Sequence, residues 1–161
     1  MTEPGASPVA GAPAPADIVI AIDPGTGKCG LAAVRSDGAA LRQEVVSAVL
    51  ASGIAAQWAG EFGASVIVLG DGTGCRCMQR SLERLTSSKA VSLMVVNERC
   101  SSEEARRLYL QAHPPRGLAR LVPPFMRYPD GCYDDYCAVV LARRWFALNP
   151  GSGVAPDPEK P

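Results

Sequence analysis

The spacing of apolar residues changes period repeatedly along this chain, and each change predicts an element. Residues 18–22, IVIAI, are apolar at every position, as in a strand buried on both faces. GLAAV at 30–34 and the stretch around 43–46 follow at hairpin spacing, which predicts an antiparallel meander of three strands. Leu50, Ile54 and Trp58 then recur at four-residue intervals on a helix. The strand VIVLG follows at 66–70, and Met78, Leu82 and Leu85 mark the stripe of a second helix. After SLMVV at 92–96, a third helix sets Ala105, Leu108, Tyr109 and Ala112 on one face; Ser101-Ser-Glu-Glu104 opens it with a capping-box pattern. The last helix runs from about Asp135, packs Cys137, Leu141, Trp145 and Leu148, and stops at Asn149-Pro150. Hairpin-linked strands followed by strand and helix alternation predict an α/β fold, a mixed sheet with helices on its faces.

The two ends read differently. Residues 1–16 hold four prolines, five alanines and almost no large apolar side chain, too little to offset the entropy of ordering, so they are expected to form a flexible arm. Residues 149–161 carry four more prolines and are expected to behave alike, which leaves one folded unit over 17–148. The start lacks a basic segment and an unbroken apolar run, and nowhere do 18 apolar residues run together. A cytosolic protein that does not enter a membrane is the expectation. Six cysteines are then expected as free thiols; Cys75-Arg-Cys77 is the one close pair and lacks zinc-knuckle spacing.

Acids sit at the ends of the predicted elements. Asp23 ends the first strand, Asp71 ends VIVLGD, Glu98 follows SLMVV, and Asp134 and Asp135 open the last helix. Parallel strands deliver their carboxyl ends to one edge of an α/β sheet, so several of these carboxylates are expected to converge there. Like charges in close array raise each other's pKa and oppose folding, a cost that a hard divalent cation removes. Mg²⁺ or Mn²⁺ uses a few carboxylates together with substrate phosphate oxygens. Two such ions about 4 Å apart activate a water and stabilise the leaving oxygen of a phosphodiester. Gly25 and Gly27 after Asp23 would let a phosphate backbone come close. The bland alternatives are a turn at Asp23-Pro-Gly, helix-start charges at Asp134 and Asp135, and a surface ion pair at Glu98-Arg99.

IVIAIDPGTGKCGLAAV, VIVLGDGTG, VVNERCSSEEARRLYLQAHPPRG and YDDYCAVVLARRWF, in that order, resemble the YqgF (RuvX) family of Holliday junction resolvases, relatives of RuvC in the RNase H-like superfamily. The resemblance implies a five-stranded RNase H-like fold with helices on both faces. It also implies metal-dependent cleavage of branched DNA or structured RNA, and in bacteria maturation of the small-subunit ribosomal RNA precursor. Matched by motif, Asp23, Glu98 and Asp135 are the catalytic and metal-binding acids. Asn97 stands where that family has aspartate, and Gly70-Asp71-Gly-Thr73 replaces Gly-Leu-Pro; since RuvC-type enzymes carry an acid on that strand, the resemblance implies Asp71 as a further candidate metal ligand, with Asp134, a helix-start charge, a weaker candidate.

Overall charge gives no hint of a polyanionic partner, with 16 basic and 16 acidic residues, but its distribution does. From Ala105 to Arg144 there are seven arginines against three aspartates. Arg116 and Arg127 precede the last acids, and Lys28 and Arg99 sit beside others, so these four are the candidate nucleic-acid-binding residues. His113, the sole histidine, has no nucleophile motif near it and reads as a loop residue. Two other readings stay open. IDPGTGKCG is similar to the phosphate-binding turn of actin and the sugar kinases, which need two such domains. A nucleic-acid-binding module with little or no catalysis is the second. Paired incision of a four-way junction would call for a homodimer.

Overall fold

The computed structural model describes residues 16–87, 90–97, 99, 101–123, 126, 127, 129 and 131–150. Glu98, most of the predicted arm and most of the predicted tail lie outside the described residues.

Strands β1 (Ile18–Asp23), β2 (Lys28–Arg35) and β3 (Ala40–Ser47) form the expected meander. Helix α1 (Ala48–Phe62) leads to β4 (Val66–Gly70), and α2 (Cys75–Thr86) leads to β5 (Ser92–Val96). Helix α3 (Ser101–Ala112), a short 3-10 segment (Gly117–Leu121) and α4 (Asp134–Leu148) complete the chain. The sheet order is β3-β2-β1-β4-β5, with β4 parallel to both β1 and β5. This is the mixed five-stranded sheet that the strand pattern implied.

Both faces of the sheet are covered, which explains why the central strands are apolar throughout. Ile20, Ile22, Leu31, Ile67 and Leu69 pack with Trp58 of α1 and Leu82 of α2. Val19, Ala21, Val34, Val66 and Val68 pack with Leu141 and Trp145 of α4 on the opposite face. Ala16 is 3 % exposed and joins this second cluster, so ordered packing begins inside the predicted arm. Asn149, placed in the predicted tail, donates its side-chain amide to the Trp145 carbonyl at 2.8 Å and so extends α4's hydrogen bonding.

Four predicted stripe residues, Leu50, Leu85, Ala112 and Leu148, are exposed. Leu50 is 60 % exposed, because Ala51, Ala55 and Ala59 with Trp58 take the inward row and let α1 lie close to the sheet. Ile54 and Trp58 of the same predicted row do pack on the core, so only its first residue, at the helix start, lies outside. Leu85 and Leu148 are likewise exposed; Thr86, whose hydroxyl donates to the Leu82 carbonyl at 2.8 Å, and Trp145 are buried at those helix ends.

Candidate active site

The parallel strands β1, β4 and β5 end side by side, so Asp23, Asp71 and Asn97 arrive at one sheet edge. The Asp71 amide donates to the Val96 carbonyl at 3.1 Å, which holds the β4 end against β5. On the other side, Asp23 pairs with Gly30 of β2. A Cβ on Gly30 would overlap the backbone carbonyl of Asp134. Glycine is therefore what lets the N-terminus of α4 land on the strand directly beside Asp23.

Strand alternation assigns the faces. Val19 and Ala21 pack toward α4, so Asp23, two residues on, belongs to the α4 face. There Asp23 and Asp134 meet a common neighbour. The Cys137 thiol, one turn into α4, is pushed up to about 12, first by burial and then by the charges of Asp23 and Asp134. It also shares a hydrogen bond with Asp23. Cys29 is raised by burial and by the same two carboxylates, and its thiol donates to the Gly25 carbonyl at 3.8 Å. Lys28 reaches the same end of α4, its ammonium donating to Cys132 Sγ at 3.3 Å.

Asp135 behaves differently from its neighbour. Its Oδ2 accepts from Gln43 Nε2 of β3 at 2.9 Å, while Oδ1 is buried with no hydrogen-bond partner. Asp71 is exposed and lines a depression with Gly74, Cys75 and Arg76 of the α2 start and Val95. That depression opens on the α2 side of the sheet. Among the described residues, no three His, Cys, Asp or Glu side chains converge closely enough to hold a metal ion.

The predicted cations divide into two kinds. Arg99 is exposed in the turn after β5, where its amide donates to Asn97 Oδ1 at 2.7 Å and its carbonyl accepts from Arg144 at 2.7 Å. Asn97 thus organises a turn, a role that amide and carboxylate side chains share. Arg116 is exposed on the loop beyond α3. Arg127 donates Nε to the Val122 carbonyl at 2.8 Å and Nη2 to the Arg120 carbonyl at 3.2 Å, so its fork braces that loop. Gly25 also has a local reason, since a Cβ there would overlap the Lys28 carbonyl; around Gly27 the space is open.

Sequence reasoning missed an aromatic group beside the acids. His113 stacks on Tyr109 with ring centroids 4.3 Å apart, and Tyr109 meets Tyr136 edge-on at 5.5 Å and Tyr133 at 6.5 Å. The four-residue step from Tyr109 to His113, and Tyr133 and Tyr136 flanking the acids, were its signals.

An antiparallel meander continued by two parallel strands, with helices on both faces, is the RNase H-like fold. Among solved structures the chain is similar to RuvC of Thermus thermophilus: TM-score 0.52 and 12 % identity, over 84 % of this chain and 97 % of that one. It is similar also to Thermus thermophilus RuvC in complex with Holliday junction substrate: TM-score 0.50 and 13 % identity, over 84 % and 96 %. The nuclease domain of the large terminase subunit gp2 of bacterial virus Sf6 gives a TM-score of 0.45 and 20 % identity, over 76 % and 62 %. No family model and no curated protein matches the sequence. Among the described residues no helix is long and apolar enough to cross a membrane.

Proposed function

We propose that this protein is a divalent-metal-dependent nuclease hydrolysing phosphodiester bonds in structured nucleic acid. One observation supports this most: Asp23 at the end of β1 and Asp134 at the head of α4 act on the same buried thiol at the edge where the parallel strands end. Two carboxylates with substrate phosphate oxygens are a donor set that suits Mg²⁺ or Mn²⁺. In this reading Asp23 and Asp134 hold the metal, and Glu98, two residues beyond β5, supplies a third acid. Asp135, engaged by Gln43, anchors α4 instead of binding the ion. Asp71, on the α2 side, stands apart from this pair. When bound, the cation would acidify a water and neutralise charge on the phosphate under attack.

The chain's own groups then have distinct tasks. Cys137, protonated at neutral pH, shares its proton with Asp23 and orients that carboxylate. Lys28 places a positive charge beside the acids, where it can meet a phosphate. Branched DNA and the small-subunit ribosomal RNA precursor are the substrates suggested by the family resemblance, within the cytosol, and a homodimer would serve paired incision.

The test is incubation of wild type and Asp23→Asn with a four-way DNA junction and a structured RNA, with Mn²⁺, Mg²⁺ or chelator. Metal-dependent cleavage by wild type alone is expected. Equal cleavage by both proteins would remove Asp23 from the reaction. A second reading, a binding module without catalysis, draws on the lack of a three-ligand group among the described residues. Binding of these substrates with no cleavage under any metal would favour it.

A further inference from the structure

Beyond α3, the chain forms a cavity of about 830 Å³ whose lining includes Tyr109, His113, Pro114, Arg116 and Met126. We propose that this cavity is a stacking platform for an unpaired nucleobase, with Arg116 receiving the adjoining phosphate. The proposal rests on the nuclease reading for its polymer and adds where an unpaired stretch of that polymer lies.

The floor is preorganised. His113 is exposed, yet its ring is pinned: its amide donates to the Tyr109 carbonyl at 2.8 Å, and Nδ1 lies 3.1 Å from the same oxygen. The imidazole therefore stacks on Tyr109 at an interplanar angle of 20°. Tyr133 and Tyr136 are explained by packing, since they cover Cys137 and Val140 where α3 meets α4. His113 is not, because an exposed ring at a helix end adds little to that core. What it adds is a flat π surface continuous with a half-buried one, the geometry that nucleobases use on single-strand-binding proteins.

Charge and position favour nucleic acid over other flat ligands. This segment is arginine-rich, and Arg116 lines the cavity. The aromatic row runs from His113 through Tyr109 to Tyr136, one residue past Asp135 and two past Asp134. A strand whose base rests on His113 is thereby set beside the proposed cleavage edge. A fully paired duplex has no free base face to offer, so the platform selects loops, branch points or single-stranded ends.

The experiment measures binding, with chelator present so that nothing is cut, to short single-stranded DNA and RNA and to duplexes of the same length. His113→Ala should weaken binding to single strands by about 5-fold or more, the scale of one stacked base, and change duplex binding far less. His113→Trp should keep the affinity and show quenching of its emission by bound single strands, since Trp58 and Trp145 are buried. A DNA-only or RNA-only effect names the sugar the platform accepts. Unchanged single-strand affinity in His113→Ala, equal losses on single strands and duplexes, or unquenched emission in His113→Trp would each overturn the proposal. Asp23-dependent cleavage with His113-independent binding would overturn the platform and leave the nuclease; His113-dependent binding without metal-dependent cleavage would do the reverse.

Discussion

The two faces of the sheet meet the same edge, and they treat their acids differently. On the α4 face, Asp23 is half-buried and stands with Asp134 against the buried Cys137 thiol, because Gly30 admits the helix start onto the strand. On the α2 face, Asp71 is exposed in a shallow depression beside Arg76. A strand-terminal acid is thus not in itself a site. The proposed site lies where a second acid, Asp134, is brought to the same buried thiol.

Exchanging acids across the two faces gives the largest expected contrast. Asp134→Asn should lower metal-dependent cleavage by about 100-fold or more, as loss of a metal ligand does, whereas Asp71→Asn and Asp135→Asn should stay near wild type. Initial rates on one branched substrate at saturating Mn²⁺ measure this. Comparable losses in all three would erase the distinction between the faces.

Closing the gap between α4 and β2 comes next. Gly30→Ala forces a methyl into the Asp134 backbone and should cost about 3 kcal/mol or more in a urea titration. Gly27→Ala, with open space around it, should have little effect by the same assay. A tolerated Gly30→Ala would mean that α4 does not dock on the strand this closely.

The anchor of α4 has a smaller effect. Gln43→Leu removes the donor to Asp135 Oδ2 and leaves both oxygens of that carboxylate unpaired, at a cost of about 1–3 kcal/mol. Thermal melts of Gln43→Leu and of the double variant Gln43→Leu/Asp135→Leu should show the second regaining part of the loss.

The smallest effect at neutral pH comes from Cys137. Its thiol is raised from 9.0 to about 12, so between these values the folded chain keeps a proton that the unfolded chain releases. Fewer protons bound in the unfolded state mean that stability falls as pH rises. The contribution is fully present below pH 9 and is lost toward pH 12; Cys29 and Tyr136, also raised, act in the same direction. Cys137→Ala should flatten the alkaline slope of a stability profile without removing it.

Much of this was legible before any coordinates. Unbroken apolar runs marked strands covered on both faces, the short gaps between the first three marked the meander, and acids marked the edge where the parallel strands end. What escaped is the choice between neighbours on a helix. Asp134 and Asp135 are equivalent by composition and by capping logic, and about 100° of helical rotation decides which one shares Cys137 with Asp23 and which one meets Gln43. At the start of α1 likewise, Ala51 packs inward and Leu50 does not.

Local periodicity therefore determined the elements, their order and the polarity of their ends, because those follow from which residues must leave water within a few positions of one another. Helix rotation, the approach of Asp23 and Asp134 to Cys137 and the row of rings leading to His113 were decided only by the tertiary structure. Each depends on how closely α4 settles onto Gly30 and α3 onto α4, contacts between residues far apart in the chain that no local pattern encodes.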